Sequence, residues 1–107
     1  MHSAERAVWF TALAHEARRD LVFAWHVAGG SFGGPKRQEE VLPELFVQAV
    51  AHLLAAGCIT GFGDPDSDSW KDLPSVGKSI GERARFIAEM WASSRQEYEF
   101  LVFAIRP

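Results

Sequence analysis

The chain has 107 residues with a formal net charge of -3, of which 48% are hydrophobic and 23% charged. That length suits one domain around one core, burying about 65% of the surface that the unfolded chain exposes, and the proportions exclude a disordered or low-complexity polypeptide. The acidic balance argues against a dedicated nucleic-acid binder, whose footprint is a basic surface. No apolar run approaches the ~20 residues of a membrane span. Met1–Arg6 lacks the basic start and apolar stretch of a secretory leader, so the expected compartment is the cytoplasm. Cys58 is the sole cysteine. An internal disulfide and a Cys-rich metal site are thereby excluded, and Cys58 itself reads as a small buried hydrophobe.

Residues 4–28 read as one long helix with Ser3 as its N-cap. Phe10, Ala14, Ala17, Leu21, Ala24 and Ala28 recur at alternating spacings of four and three, a stripe of mostly small residues that lets another helix approach. Trp9, Phe23 and Val27 form a second apolar strip about 150° away, to be buried under the rest of the fold or offered to a partner. The same stretch carries an alternative reading over residues 21–28 as a strand, because Val22, Phe23, Trp25 and Val27 favour extended backbone. Gly29-Gly30-Ser31-Phe32-Gly33-Gly34-Pro35 ends the helix in a loop.

A second helix is predicted from near Pro43, a residue suited to a first turn, to Gly57, with Leu42, Phe46, Ala49, Val50 and Leu53 on its apolar face. Cys58-Ile59-Thr60 reads as a short strand, and residues 61–76 as a loop. Ser79 and Glu82 form a capping box that opens a third helix over residues 79–94, with Ile80, Ala84, Ile87 and Trp91 on its core face. Tyr98–Ile105 carries apolar residues on both faces, the pattern of a well-covered strand.

The expected class is therefore α+β, three main helices with a small two- or three-stranded sheet shared by Ile59 and the last strand. Leu53-Leu54-Ala55-Ala56-Gly57-Cys58-Ile59 resembles the end of a recognition helix entering the first wing strand of winged-helix proteins, and the element order α-α-β-α-β is similar. The resemblance implies a DNA-binding regulator with residues 43–56 in the major groove. It departs from the family pattern in that the helix over 79–94 would fall inside the wing.

The motifs that invite chemistry each miss a part. Gly29-Gly30-Ser31-Phe32-Gly33 matches the nucleophile elbow of serine hydrolases, but that turn needs a preceding strand and a larger parallel sheet. His52 follows Ser31 in the right chain order, without an obvious orienting acid. Val76-Gly77-Lys78-Ser79 ends like a phosphate-binding loop, yet Asp72 stands where its first glycine belongs. Asp64, Asp66, Asp68 and Asp72 match calcium-loop positions, while Ser69 and Ser75 replace the required glycine and glutamate. His15-Glu16 begins a zinc-protease helix motif that Arg19 breaks. The expectation is therefore no catalytic residue, no cofactor and no metal.

Two functions remain. The first is a non-catalytic protein-interaction module, immunity- or inhibitor-like, or an accessory protein that dimerises through helix 1. Its candidate residues are Trp70 within the acidic rim of Asp64, Asp66, Asp68 and Asp72, the composition of an interface anchor for a basic-rimmed partner, together with Trp9, Phe23 and Val27. The second is the DNA-binding regulator. Residues 43–56 contain no Lys or Arg, whereas groove binding rests on neutralising phosphates. Another protein, or a second copy of this chain, is the expected partner; nucleic acid and membrane are not.

Overall fold

A computed structural model of the chain describes residues 1–74 and 77–106. Its class is α+β, as the sequence pattern predicts, with a four-stranded antiparallel sheet in the order β1-β4-β2-β3. The fourth strand exceeds the two or three expected.

The first helix, α1 (Ser3–Arg19), buries Trp9, Leu13, Ala14 and Ala17. His2, not Ser3, occupies its N-cap position, and no side chain caps it. The expected 25-residue helix is broken: after Asp20 the chain extends into β1 (Val22–Phe23) and only then re-enters a short helix, α2 (Ala24–Ala28). The cause is tertiary. Val22 and Phe23 favour extended backbone, and here they find a partner strand, with Val22 opposite Phe103 and Phe23 opposite Val102. The strand alternative for residues 21–28 thus holds for two of them.

Beyond the glycine loop come α3 (Gln38–Val41) and α4 (Glu44–Ala55), the latter with Pro43 at its N-cap. Helix α4 ends at Gly57, whose φ of 96° is open to glycine at little cost and turns the chain into β2 (Ile59–Phe62). β2 forms a hairpin with β3 (Lys71–Asp72), a strand inside the region expected to be loop. The hairpin closes before the next helix begins, so no helix sits within a wing. The phosphate-loop remnant at Val76 and the calcium-loop position Ser75 lie outside the described residues.

Helix α5 (Ile80–Ser93) opens on the predicted capping box: Ser79 Oγ accepts from the Glu82 amide at 3.1 Å, and Glu82 Oε1 accepts from the Ser79 amide at 3.2 Å. Helix α6 (Arg95–Tyr98) follows, taking Tyr98 out of the expected terminal strand, and β4 (Val102–Ala104) closes the chain. All three β4 side chains are buried, as a strand apolar on both faces requires. α4 carries the core between α1 and α5, where the Phe46 and Trp91 rings stack at 6.2 Å.

Candidate interaction surface

Breaking the first helix at Asp20 turns Phe23 and Trp25 toward the edge of the sheet, where they meet the glycine loop and the approach to β4. Five rings gather there. Phe23 stacks on Trp25 with centroids 5.9 Å apart and meets Phe100 edge-on at 6.4 Å. His26 lies 3.8 Å from Trp25 and 5.4 Å from Phe32. Three of the rings keep much of their surface in water: Trp25 is 44% exposed, Phe32 39% and Phe100 63%.

The backbone holds this patch by two devices. His26 Nδ1 accepts the Phe23 amide at 3.0 Å, which satisfies an N–H of the edge strand within the chain and fixes the imidazole proton on Nε2. Partial burial pulls the His26 pKa below its ordinary 6.5, against the opposing pull of the Glu16 and Asp20 carboxylates. Phe32 sits at φ 69°, the only non-glycine residue with positive φ among the described residues. A bulky side chain seldom adopts that conformation, so the glycine loop around it must hold the Phe32 ring in place.

A cleft of about 530 Å³ adjoins the patch, sharing Trp25 and lined also by Gln38, Trp91, Arg95, Gln96 and Glu99. A second, about 880 Å³, lies at the N-terminal end of α4 between Arg6, Gly34, Glu40, Leu42 and Leu45.

The residues singled out from the sequence fall in different places. Trp9 and Val27 are corrections: both are 0% exposed and belong to the core, so neither is offered to a partner. Trp9 is held there by its indole N–H, which donates to the Ser31 carbonyl at 2.8 Å, and by Gly34, where a methyl group would overlap its ring. Phe23, the third member of that strip, is half-buried and joins the exposed patch. Trp70 is half-buried and folds back over Gly61, where a Cβ would lie 2.6 Å from its ring, while its N–H donates to Asp72 Oδ1 at 2.6 Å.

The acidic residues around Trp70 do not converge. Asp64 Oδ1 accepts the Asp66 amide at 2.9 Å and Asp66 pairs with Arg106 at 3.3 Å, while Asp68 stands exposed. No group of three His, Cys, Asp or Glu side chains suited to a metal occurs among the described residues. Neither Ser31 nor His52 lines either cleft, and the His52 ring packs 5.5 Å from Phe10 instead. Cys58 is buried, with its thiol pushed up to about 12 by desolvation against a smaller pull from Arg18.

Sequence reasoning missed Trp25, His26, Phe32 and Phe100. The available signal was Phe23-Ala-Trp25 at spacing two, which places both rings on one face only if the segment is extended at its start. No family model matches the chain, and neither a curated protein nor a solved structure is similar to it at a level that shows kinship.

Proposed function

We propose that this chain is a non-catalytic protein-binding module whose contact surface is the aromatic patch of Phe23, Trp25, His26, Phe32 and Phe100. The observation that carries the reading is the exposure of three large rings, each braced by neighbouring rings. Contiguous exposed apolar surface marks interaction sites in soluble proteins, and Trp and Tyr, large rings packed into a protected centre, dominate binding energies. The patch also flanks an edge strand whose Phe23 amide is already capped, so it offers side chains in preference to free backbone.

The winged-helix alternative draws less support. Glu44, Gln48 and His52, the polar side chains of α4, are already engaged by Arg85 at 3.3 Å, Arg6 at 3.2 Å and the Phe10 ring. Arg19 likewise pairs with Glu16 at 2.9 Å. A helix with a buried apolar face, an occupied polar face and no cation of its own is poorly suited to a phosphate-lined groove.

The test is affinity capture from an extract of the source cell with the wild-type chain and with a Trp25→Ser/Phe100→Ser double variant. The expected result is a protein retained by the wild type and lost by the variant, with the latter still folding cooperatively and melting within about 10 °C of the wild type. Equal capture by both chains, or retention of duplex DNA at physiological salt by the wild type, would overturn the proposal.

A further inference from the structure

The aromatic patch and the cleft beside it form one continuous surface, joined at Trp25. Phe100 is the most exposed ring of the patch, at 63%, and meets Phe23 edge-on while Phe23 stacks on Trp25. The cleft, about 530 Å³, is a recess with room for a phenyl ring. Arg95 and Glu99 line it at exposed positions, and the ion pairs of the described residues use neither. The surface therefore carries a ring beside a hollow, and an unpaired cation beside an unpaired anion.

Size bears on what covers it. At the area typical of aromatic side chains, the exposed parts of Trp25, Phe32 and Phe100 together amount to roughly 300 Å². A protein partner usually covers about 800 Å² a side, as an apolar centre within a polar rim, and transient complexes cover less. The three rings supply such a centre, and Gln38, Arg95, Gln96 and Glu99 supply a rim. That is short of an obligate interface and adequate for a transient one. Strand pairing does not extend it, because the Phe23 N–H is already taken by His26.

Charge bears on whose surface covers it. A partner carrying a single sign of charge would set either Arg95 or Glu99 against its like. A two-fold interface presents the same patch from both sides, so it requires a face complementary to itself. This face meets that requirement twice, ring against recess and cation against anion. With one charge of each sign per copy the contact is neutral, so it adds nothing to the repulsion between two chains of net charge -3. We propose that patch and cleft together form the interface of a two-fold homodimer, in which Phe100 of each copy enters the cleft of the other and Arg95 of each faces Glu99 of the other. The inference rests on the protein-binding reading of the patch and names the partner as a second copy of this chain.

The experiment is sedimentation equilibrium of the full chain across about 1 μM to 1 mM. It is repeated with Phe100→Ser, Arg95→Glu and Glu99→Arg, all at exposed positions, with thermal melts to verify that each variant folds cooperatively. The wild type is expected to dimerise within that range, and each variant to do so about tenfold more weakly or worse. An equimolar mixture of the two charge variants makes the sharpest sample. Alone, each sets like charges opposite one another. Mixed, the two reversed residues face each other on one side of the two-fold and the two native ones on the other, so the mixture should dimerise about as tightly as the wild type. A wild-type chain still monomeric at about 1 mM overturns the homodimer; it leaves the protein-binding reading to the capture experiment, where a different protein would then be retained. A dimer that Phe100→Ser or the charge variants leave intact overturns it equally, by placing the contact elsewhere. So does a mixture that associates no more tightly than its components.

Discussion

His26 joins local backbone geometry to the aromatic patch, and its titration should be visible in stability. Its Nδ1 must be unprotonated to accept the Phe23 amide, and burial depresses its pKa below 6.5 against the carboxylates of Glu16 and Asp20 on α1. The unfolded chain takes up the proton first. The contribution is thus whole above pH 6.5 and is lost as pH falls through the lower folded-state value. Thermal melts across that range should show a declining acid limb, and His26→Asn, which keeps an acceptor near the Nδ1 position without a proton to gain, should flatten it. An unaltered limb in that variant would assign the acid sensitivity to other groups. Trp70 and Trp25 separate in the same way. Trp70 covers Gly61 and binds Asp72, so Trp70→Ala should cost about 2 kcal/mol, roughly 10 °C in melting temperature. Trp25→Ala, at a ring 44% exposed, should cost under about 1 kcal/mol. A Trp70→Ala chain that melts with the wild type would return Trp70 to the role of a surface anchor. Gly34→Ala makes a sharper case, because its methyl would overlap the ring of Trp9, which is fully buried. It should cost about 1–3 kcal/mol, read by denaturant midpoint.

At the scale of elements, what could be read from the sequence was whatever local chemistry determines. The capping box at Ser79 and Glu82 marked the start of α5 because two side chains within one turn satisfy each other's amides. The apolar face of α4 and Gly57 at its end marked that helix, and the apolar run at Val102–Ala104 marked a covered strand. What could not be read was set by distant partners. Val22 and Phe23 leave the helix because Val102 and Phe103 are there to pair with them. Lys71–Asp72, polar and short, becomes a strand only because Gly61 and Phe62 present a ladder. The same limit governed the site. Trp9 and Phe23 share one strip on a continuous helix, but the break at Asp20 sends the first into the core and the second to the surface. Phe100, fourteen residues beyond Phe86, reaches the patch only once β4 is in place beside β1.

At the scale of the whole molecule, that late arrival decides how the fold holds together. β4 is last in sequence yet central in space, pairing with β1 on one side and β2 on the other. The contacts from β1 to β4 span most of the chain, so the sheet closes only after a costly long-range encounter. Arg106 then fastens the strand's far end, its guanidinium donating to the carbonyls of Ala17 at 3.0 Å and Asp20 at 3.1 Å while reaching Asp66 at 3.3 Å. Those carbonyls lie at the C-terminus of α1, where a cation is favoured by the orphaned acceptors and the helix dipole. A chain stopped after Glu99 would lose the fully buried Leu101 and Phe103, leave β1 and β2 without their shared partner, and remove Phe100 from the patch. It should show no cooperative thermal transition and should bind a hydrophobic dye, whereas Arg106→Ala should keep the transition and shift it down by about 1 kcal/mol. A truncated chain that melts cooperatively near the wild-type temperature would mean that the helices carry the fold alone. The sheet, and the aromatic patch built on its edge, would then be secondary to the core between α4 and α5.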